Sequence, residues 1–368
     1  MHGLFLALYR LIYERAARPL IFRNSAQDAH QRMISLLTWL DNHAWTHFAL
    51  RWAHDLAFVE HPLSVGGVQL LHPMILAAGF VKGEGFSDEG DALQAVSRNI
   101  IPGWRSMPLL VGAVEFGSFT RCPRPGNSGT VLWRDEITQS TQNRVGLKNP
   151  GALAAAEFLS RNRQWLPPVF GINIAVSPGV TNPWQECREA LESFAAFLDP
   201  GVHPSWFTLN VSCPNTGDDP GSHQTEARAR DLCAAIVSLL QPHSIPLWVK
   251  ISPDLADDQY CALLRAFAET GVRAVVATNT LGAPAPDKTT AGFGGGRLHG
   301  NALGVIDLLS REKARQGYEI DIIACGGIQN RQTYQAFAQY GVQAMQYWSA
   351  LVYRGLLAAA LIEQESLS

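Results

Sequence analysis

"WFTLNVSCPNTG", residues 206 to 217, runs as a strand and then halts among polar side chains. Phe207, Leu209 and Val211 are apolar, while Asn210, Ser212, Cys213, Asn215 and Thr216 gather round one proline. Seven other runs have a similar build: "MILAAGF", "VGAVEFGSF", "VFGINIAV", "LWVKIS", "AVVATNT", "IDIIACGG" and "VQAMQYWSA". They are rich in Val, Ile and aromatic residues without strict alternation, which suits strands covered on both faces. Helical stretches such as "GALAAAEFLSRN", "CREALESFAAFLD", "EARARDLCAAIVSLL", "DDQYCALLRAFAETG" and "NRQTYQAFAQYG" lie between the later runs. That count and alternation predict an α/β fold, a (β/α)8 TIM barrel rather than an open doubly wound sheet.

The barrel reading covers residues 61–368, and residues 1–60 have a different, helical texture. Ser25 has the chemistry of an N-cap, with Asp28 in the first turn and Met33, Leu36, Leu37 and Leu40 at helical spacing. A further helix puts Trp45, Phe48, Ala49 and Trp52 on one side, and Pro19 is expected to limit the first helix. Two roles suit these helices: packing on the barrel, or forming an amphipathic platform in a membrane interface. Arg10, Glu14, Arg15 and Arg18 interrupt the first apolar run before it reaches the ~18 residues a spanning helix needs. Neither a membrane span nor a cleaved signal is expected.

With 368 residues, 47% of them hydrophobic and 17% charged, the chain can bury a sizeable core. A net charge of -3 gives no basic footprint for nucleic acid. Six cysteines lie far apart with no C-x-x-C pair, which argues against a zinc site or a disulfide framework and for a reducing, cytoplasmic setting.

In a barrel of this kind, function gathers at the C-terminal ends of the strands. Those ends carry Gly79 and Lys82, Ser118, Asn173, Asn210, Lys250, Thr278 and Asn279, Gly326 and Gly327, and Ser349. Asparagine is a common turn former. Three asparagines with two lysines are a stronger signal, and suit a planar, hydrogen-bond-rich anionic ligand. "ACGGI", Ser349 and Gly300, read as part of a preceding loop, add a phosphate signature. Three segments read as loops or insertions: "KGEGFSDEGDALQAVSRNIIPGWRSMP", "TRCPRPGNSGT" and "GAPAPDKTTAGFGGGRLHG".

In order along the chain, "LAAGFVKGEGF", "EFGSFTRCPRPGN", "NRVGLKNPG", "GINIAVS", "NVSCPNT", "VKISPDL", "VVATNT", "ACGGI" and "QYWSA" resemble the motifs of the dihydroorotate dehydrogenase family. The N-terminal "LYRLIYERAARPLIFRNSAQDAHQRM" is similar to the helical extension of its membrane-associated, quinone-dependent class. The resemblance implies an FMN-containing barrel that oxidises dihydroorotate to orotate in pyrimidine synthesis and passes electrons to a quinone. With no targeting peptide expected, the chain reads as a bacterial-type cytoplasmic protein, peripheral at the inner membrane. By motif, Ala78, Gly79, Lys82, Ser118, Asn173, Asn210, Lys250, Thr278, Gly300, Gly327, Trp348 and Ser349 would hold FMN. Lys82, Asn143, Asn210, Asn215, Asn279 and Thr280 would hold the substrate, and Cys213 falls where the family places its catalytic base.

The chain also departs from the pattern. The quinone-dependent class carries serine at the position of Cys213, and "GLKNPG" leans toward the soluble classes. "GDDPGSHQTEA" lacks the usual continuation of the substrate loop. Val131 stands where an arginine is associated with the quinone tunnel, and Trp348 and His299 replace a tyrosine and a serine. Two alternatives therefore stand beside the leading reading. One is a flavin barrel acting on another dihydropyrimidine or an enoate, or using fumarate or NAD; the other is a silent membrane-associated barrel. Cys187, Cys233, Cys261 and Cys325 read as structural thiols. His30 reads either as a residue of the quinone entrance or as a solvent-facing helix residue.

Overall fold

The computed structural model describes residues 2–212 and 225–367. All eight predicted runs are barrel strands. They are β3 (Met74–Leu76), β4 (Ala113–Phe119), β7 (Phe170–Ala175), β8 (Trp206–Asn210), β9 (Leu247–Ile251), β10 (Ala274–Ala277), β13 (Asp321–Cys325) and β14 (Met345–Tyr347). They pair in parallel, in chain order, and β14 closes on β3 with Gln346 opposite Ile75. Helices cover the outside, so the outward strand residues Val114, Phe116, Ile172 and Phe207 are buried in the main core.

The inward residues form layers. At the N-terminal end, Ile75, Trp206, Trp248, Ala274 and Ile323 make a second apolar cluster with the hairpin β1 (Leu63–Val65) and β2 (Val68–Leu70). The Trp206 and Trp248 rings stack at 4.5 Å. Gly171 makes room for them: a Cβ there would lie 2.5 Å from Trp206 Cζ2 and closer still to Cε2 and Nε1. Above this apolar floor the interior turns polar, with buried Glu115, Asn173, Thr208, Lys250 and Gln346. Buried faces on both sides explain why the strands do not alternate in hydropathy; the inner polar layer requires cross-strand partners that a single run does not reveal.

A roof lies over the C-terminal end of the barrel, and one of the predicted loop segments supplies half of it. Strands β5 (Leu132–Asp135), β6 (Ser140–Asn143), β11 (Leu281–Pro284) and β12 (Thr290–Gly295) form an antiparallel sheet in the order β11-β12-β6-β5. The segment "GAPAPDKTTAGFGGGRLHG" is thus largely a hairpin running into a helix, not a loop. Its Gly-, Ala- and Pro-rich strands carry little intrinsic β signal and are held by β6, which is distant in sequence.

The N-terminal segment begins with α1 (His2–Ile12), which passes through a π turn at Tyr13–Ala17 into α2 (Arg18–Ile21). Pro19 does not end this helix. The Arg18 N–H reaches back to the Tyr13 carbonyl, and this wider turn falls where proline removes the next donor. Helices α3 (Ala26–Asn42) and α4 (Ala44–Ala57) follow, and Ser25 caps α3 by accepting from the Asp28 N–H at 3.0 Å. Leu6 and Leu37 are fully buried in the main core, so these helices pack on the barrel. Arg134 of β5 stacks over Phe22 and donates to the carbonyls of Phe22 and Asn24, tying α2 to the roof. The opposite surface is apolar and open: Phe48 is 81% exposed and Trp52 61%, with Leu4, Leu8, Trp39 and Trp45 also exposed. Among the described residues, no helix is long and apolar enough to cross a membrane.

Candidate active site

A cavity of about 600 Å³ opens between the strand ends and the roof. Of the residues proposed from sequence, Ala78, Gly79, Lys82, Ser118, Asn143, Asn173, Asn210, Lys250, Thr278, Asn279, Thr280, Gly327, Trp348 and Ser349 all line it. Cys213 and Asn215 lie outside the described residues. Gly300 is a correction: it sits exposed inside the helix Gly296–Gln316, not in a loop, and does not line the cavity. Helix formation begins directly at the end of β12, so Gly294 and Gly295 are the cavity-lining glycines of this segment.

One wall is an amide cluster. Asn210 Nδ2 donates to Ser118 Oγ at 3.3 Å, while Asn210 Oδ1 accepts from Ser212 N at 3.1 Å and from Asn279 Nδ2 at 3.2 Å. Asn279 Nδ2 also donates to the Ser212 carbonyl at 3.0 Å, and Asn279 Oδ1 accepts from Thr280 N at 2.8 Å. These bonds set the amide orientations, leaving a neutral surface of fixed donors and acceptors beside Lys82.

Deeper in the barrel, Lys250 Nζ donates to Gln346 Oε1 at 2.9 Å and to Cys325 Sγ at 3.5 Å. Cys325 therefore lines the cavity beside a cation and is not merely a structural thiol of its strand. Gln346 is not legible as a site residue from sequence, because only closure of the barrel brings β14 across the interior to Lys250 on β9. Asn173 gives its Nδ2 to Glu115 Oε1 at 2.8 Å, and its Oδ1 is buried without a partner. A buried acceptor left unpaired is costly unless a ligand donor meets it.

The opposite end is rich in glycine. Gly326, Gly327, Gly294, Gly295 and Ser349 converge there, and Ser349 Oγ lies 2.6 Å from Thr141 Oγ1. Gly327 has φ +76, and a Cβ on it would stand 2.6 Å from the Gly295 carbonyl. Only glycine permits that backbone approach.

The cavity reaches α3, and this limb of it is lined by Gln27, His30, Gln31, Ile34, Ser35, Val131 and Leu132. Gln27 fastens α3 to the roof, accepting from Val131 N at 2.8 Å and donating to the Gly129 carbonyl at 3.3 Å. His30 faces this limb and meets Phe80 edge-on at 5.7 Å, so it is a cavity residue. Burial, then the nearby cations Lys82 and Lys148, hold its pKa down at about 4. It is neutral at physiological pH.

The family model for dihydroorotate dehydrogenase matches residues 63–367. A dihydroorotate dehydrogenase (quinone) of Gloeobacter violaceus is 30% identical over 358 residues, covering 95% of this chain and 90% of that protein. One from Bordetella parapertussis is 31% identical over 359 residues, covering 92% of this chain and 93% of its own. Among solved structures, the ligand-free DHODH of Eimeria tenella superposes with a TM-score of 0.67 at 22% identity, covering 87% of this chain and 92% of that one. The Eimeria tenella enzyme in complex with ferulenol gives 0.66 at 20% identity, over 88% and 90%. The fold is shared with those structures, and a match running from the floor hairpin to the last helix makes this chain a member of the dihydroorotate dehydrogenase family.

Proposed function

We propose that this protein is an FMN-dependent dihydroorotate dehydrogenase of pyrimidine biosynthesis that hands its electrons to a quinone. The observation that carries the reading is the lining of the cavity. Strand-end amides and lysines line it at the barrel, and residues of α3 line it at the other side.

The residues present fit FMN. Asn173 Oδ1 is an orphaned acceptor suited to an imide N–H, and Lys250 supplies a cation for the pyrimidine edge of a flavin. Gly295, Gly327 and Ser349 suit its phosphate. When bound, FMN would accept the hydride that leaves C6 of dihydroorotate.

The protein's own groups divide the remaining work. Lys82 holds the substrate carboxylate, while Asn143, Asn210, Asn215, Asn279 and Thr280 read the ring amides without adding charge. Cys213 takes the proton from C5, since a thiol with a pKa near 8.5 is a usable base once partly ionised. The limb along α3 would admit the quinone, with neutral His30 and the amides of Gln27 and Gln31 at its wall. The exposed aromatic face of α3 and α4 suits a peripheral position on the cytoplasmic face of the inner membrane. Steady-state turnover of dihydroorotate against quinone, fumarate, NAD and oxygen tests the assignment. Quinone should be the efficient acceptor; bound FMN with no dihydroorotate turnover by any acceptor would overturn it.

A further inference from the structure

Glu115 lies one layer below the cavity and is not exposed at all. Its Oε1 accepts from Asn173 Nδ2 at 2.8 Å. Its Oε2 accepts from Thr208 Oγ1 at 2.6 Å, Trp206 Nε1 at 2.9 Å and Gln346 Nε2 at 3.1 Å. Four donors converge on one carboxylate, drawn from β7, β8 and β14. An amide can present either its oxygen or its nitrogen at nearly equal steric cost, but a carboxylate only accepts. Facing Glu115, both amides must turn their NH2 groups downward. Their oxygens then face up: Asn173 Oδ1 has no partner, and Gln346 Oε1 takes Lys250 Nζ at 2.9 Å.

We infer that Glu115 is a positioning residue that fixes the hydrogen-bond polarity of the cavity floor. Through Asn173 it presents an acceptor to the ligand, and through Gln346 it holds Lys250 in place. The same chain links a buried anion to a buried cation across one amide, so neither charge sits uncompensated. The ligand class this polarity selects is a ring edge with an N–H donor beside electron-rich atoms, which is the imide edge of a flavin. The inference rests on the FMN reading above.

The test exchanges the two polarities. In Glu115→Gln, the new amide must keep its oxygen toward Thr208, Trp206 and Gln346, so its NH2 meets the Asn173 NH2. Asn173 then flips and offers a donor to the cavity. Adding Asn173→Asp gives the new amide an acceptor and restores an acceptor above, with overall charge unchanged. FMN dissociation constants by fluorescence quenching, with melting temperatures of the apoproteins, read the outcome. Each single substitution should weaken FMN binding about ten- to a hundredfold, the cost of one mismatched buried polar contact, and the double substitution should return within about threefold of wild type. Wild-type affinity in Glu115→Gln, or a double variant no better than the singles, would overturn the inference. Should Glu115→Gln fail to fold, recovery of a folded, FMN-binding protein by the second substitution supports it, and failure to recover refutes it. Wild-type protein that binds no FMN would instead sink the flavin reading itself.

Discussion

Gly171→Ala tests whether the barrel floor and the site above it are one mechanical unit. The added methyl would press on three atoms of the Trp206 indole, one of them 2.5 Å away. Trp206 has nowhere to go: it is fully buried, stacked at 4.5 Å on Trp248 and bonded to Glu115 at 2.9 Å. Overpacking a core costs about 1–3 kcal/mol. Moving the ring forfeits a hydrogen bond to a charged group, about 1.5–3 kcal/mol, and an aromatic pair, about 0.5–1.5 kcal/mol. The sum is about 3–7.5 kcal/mol. An unfolding entropy of roughly 2.1 cal/mol/K per residue, over 368 residues, comes to about 0.8 kcal/mol/K. The melting temperature should therefore fall by about 4–9 °C in calorimetry of the apoprotein at fixed scan rate. Trp206→Leu in the same chain removes the collision, so the double variant should melt above the sum of the single losses. A Gly171→Ala melting temperature within about 1 °C of wild type would mean that the floor yields and the rigid-layer argument is wrong.

His30 gives a pH prediction. Its folded pKa, about 4, lies below its unfolded value of about 6.5, so the unfolded chain binds the proton first. The stability linked to its neutral form is complete above pH 6.5 and declines as pH falls toward 4; at pH 5 the loss should be at most about 2 kcal/mol relative to His30→Asn, measured by urea unfolding. Proton-coupled NMR of His30 should show no titration between pH 5 and 8, and a midpoint near 6.5 would refute its burial. Cys213→Ser should retain FMN but move the basic rise of kcat to higher pH, because a hydroxyl ionises less readily than a thiol; an unchanged pH profile would remove Cys213 from the role of base. Phe48→Glu with Trp52→Glu should abolish co-sedimentation with phosphatidylglycerol vesicles while leaving dye-linked turnover near wild type, and undiminished vesicle binding would refute a lipid-facing α4.

The strand ends were legible because each advertises itself locally. A run of Val and Ile that stops at Asn173, Asn210 or Lys250 announces both a strand and its working end, and eight such runs leave little choice of fold. What stayed hidden depends on register. Glu115 in "AVEFGSF" resembles any charged interruption of an apolar strand, and its meaning comes only from Asn173, Thr208, Trp206 and Gln346 on three other strands. Cys325 looked like a small buried thiol for the same reason, until β9 set Lys250 beside it. Gly300 misled in the other direction. In "GGGRLHG" glycine invites a loop reading, yet pairing of β12 with β6 carries the strand to Gly295, and the helix starts at once.

The N-terminal helices have two faces with different surroundings. Packing on the barrel and presenting an amphipathic face looked like alternatives, but they use opposite sides of the same helices. Leu6 and Leu37 enter the core while Leu4, Trp39, Phe48 and Trp52 face outward. Gln27 and His30 sit on the inner side of α3, where they form one wall of the cavity's outer limb. Removing the whole segment would therefore strip core and cavity wall together, and a loss of quinone-linked turnover would say nothing about lipid. Only surface substitutions on α4, which leave Leu6, Leu37 and Gln27 in place, can separate contact with a membrane from construction of the site.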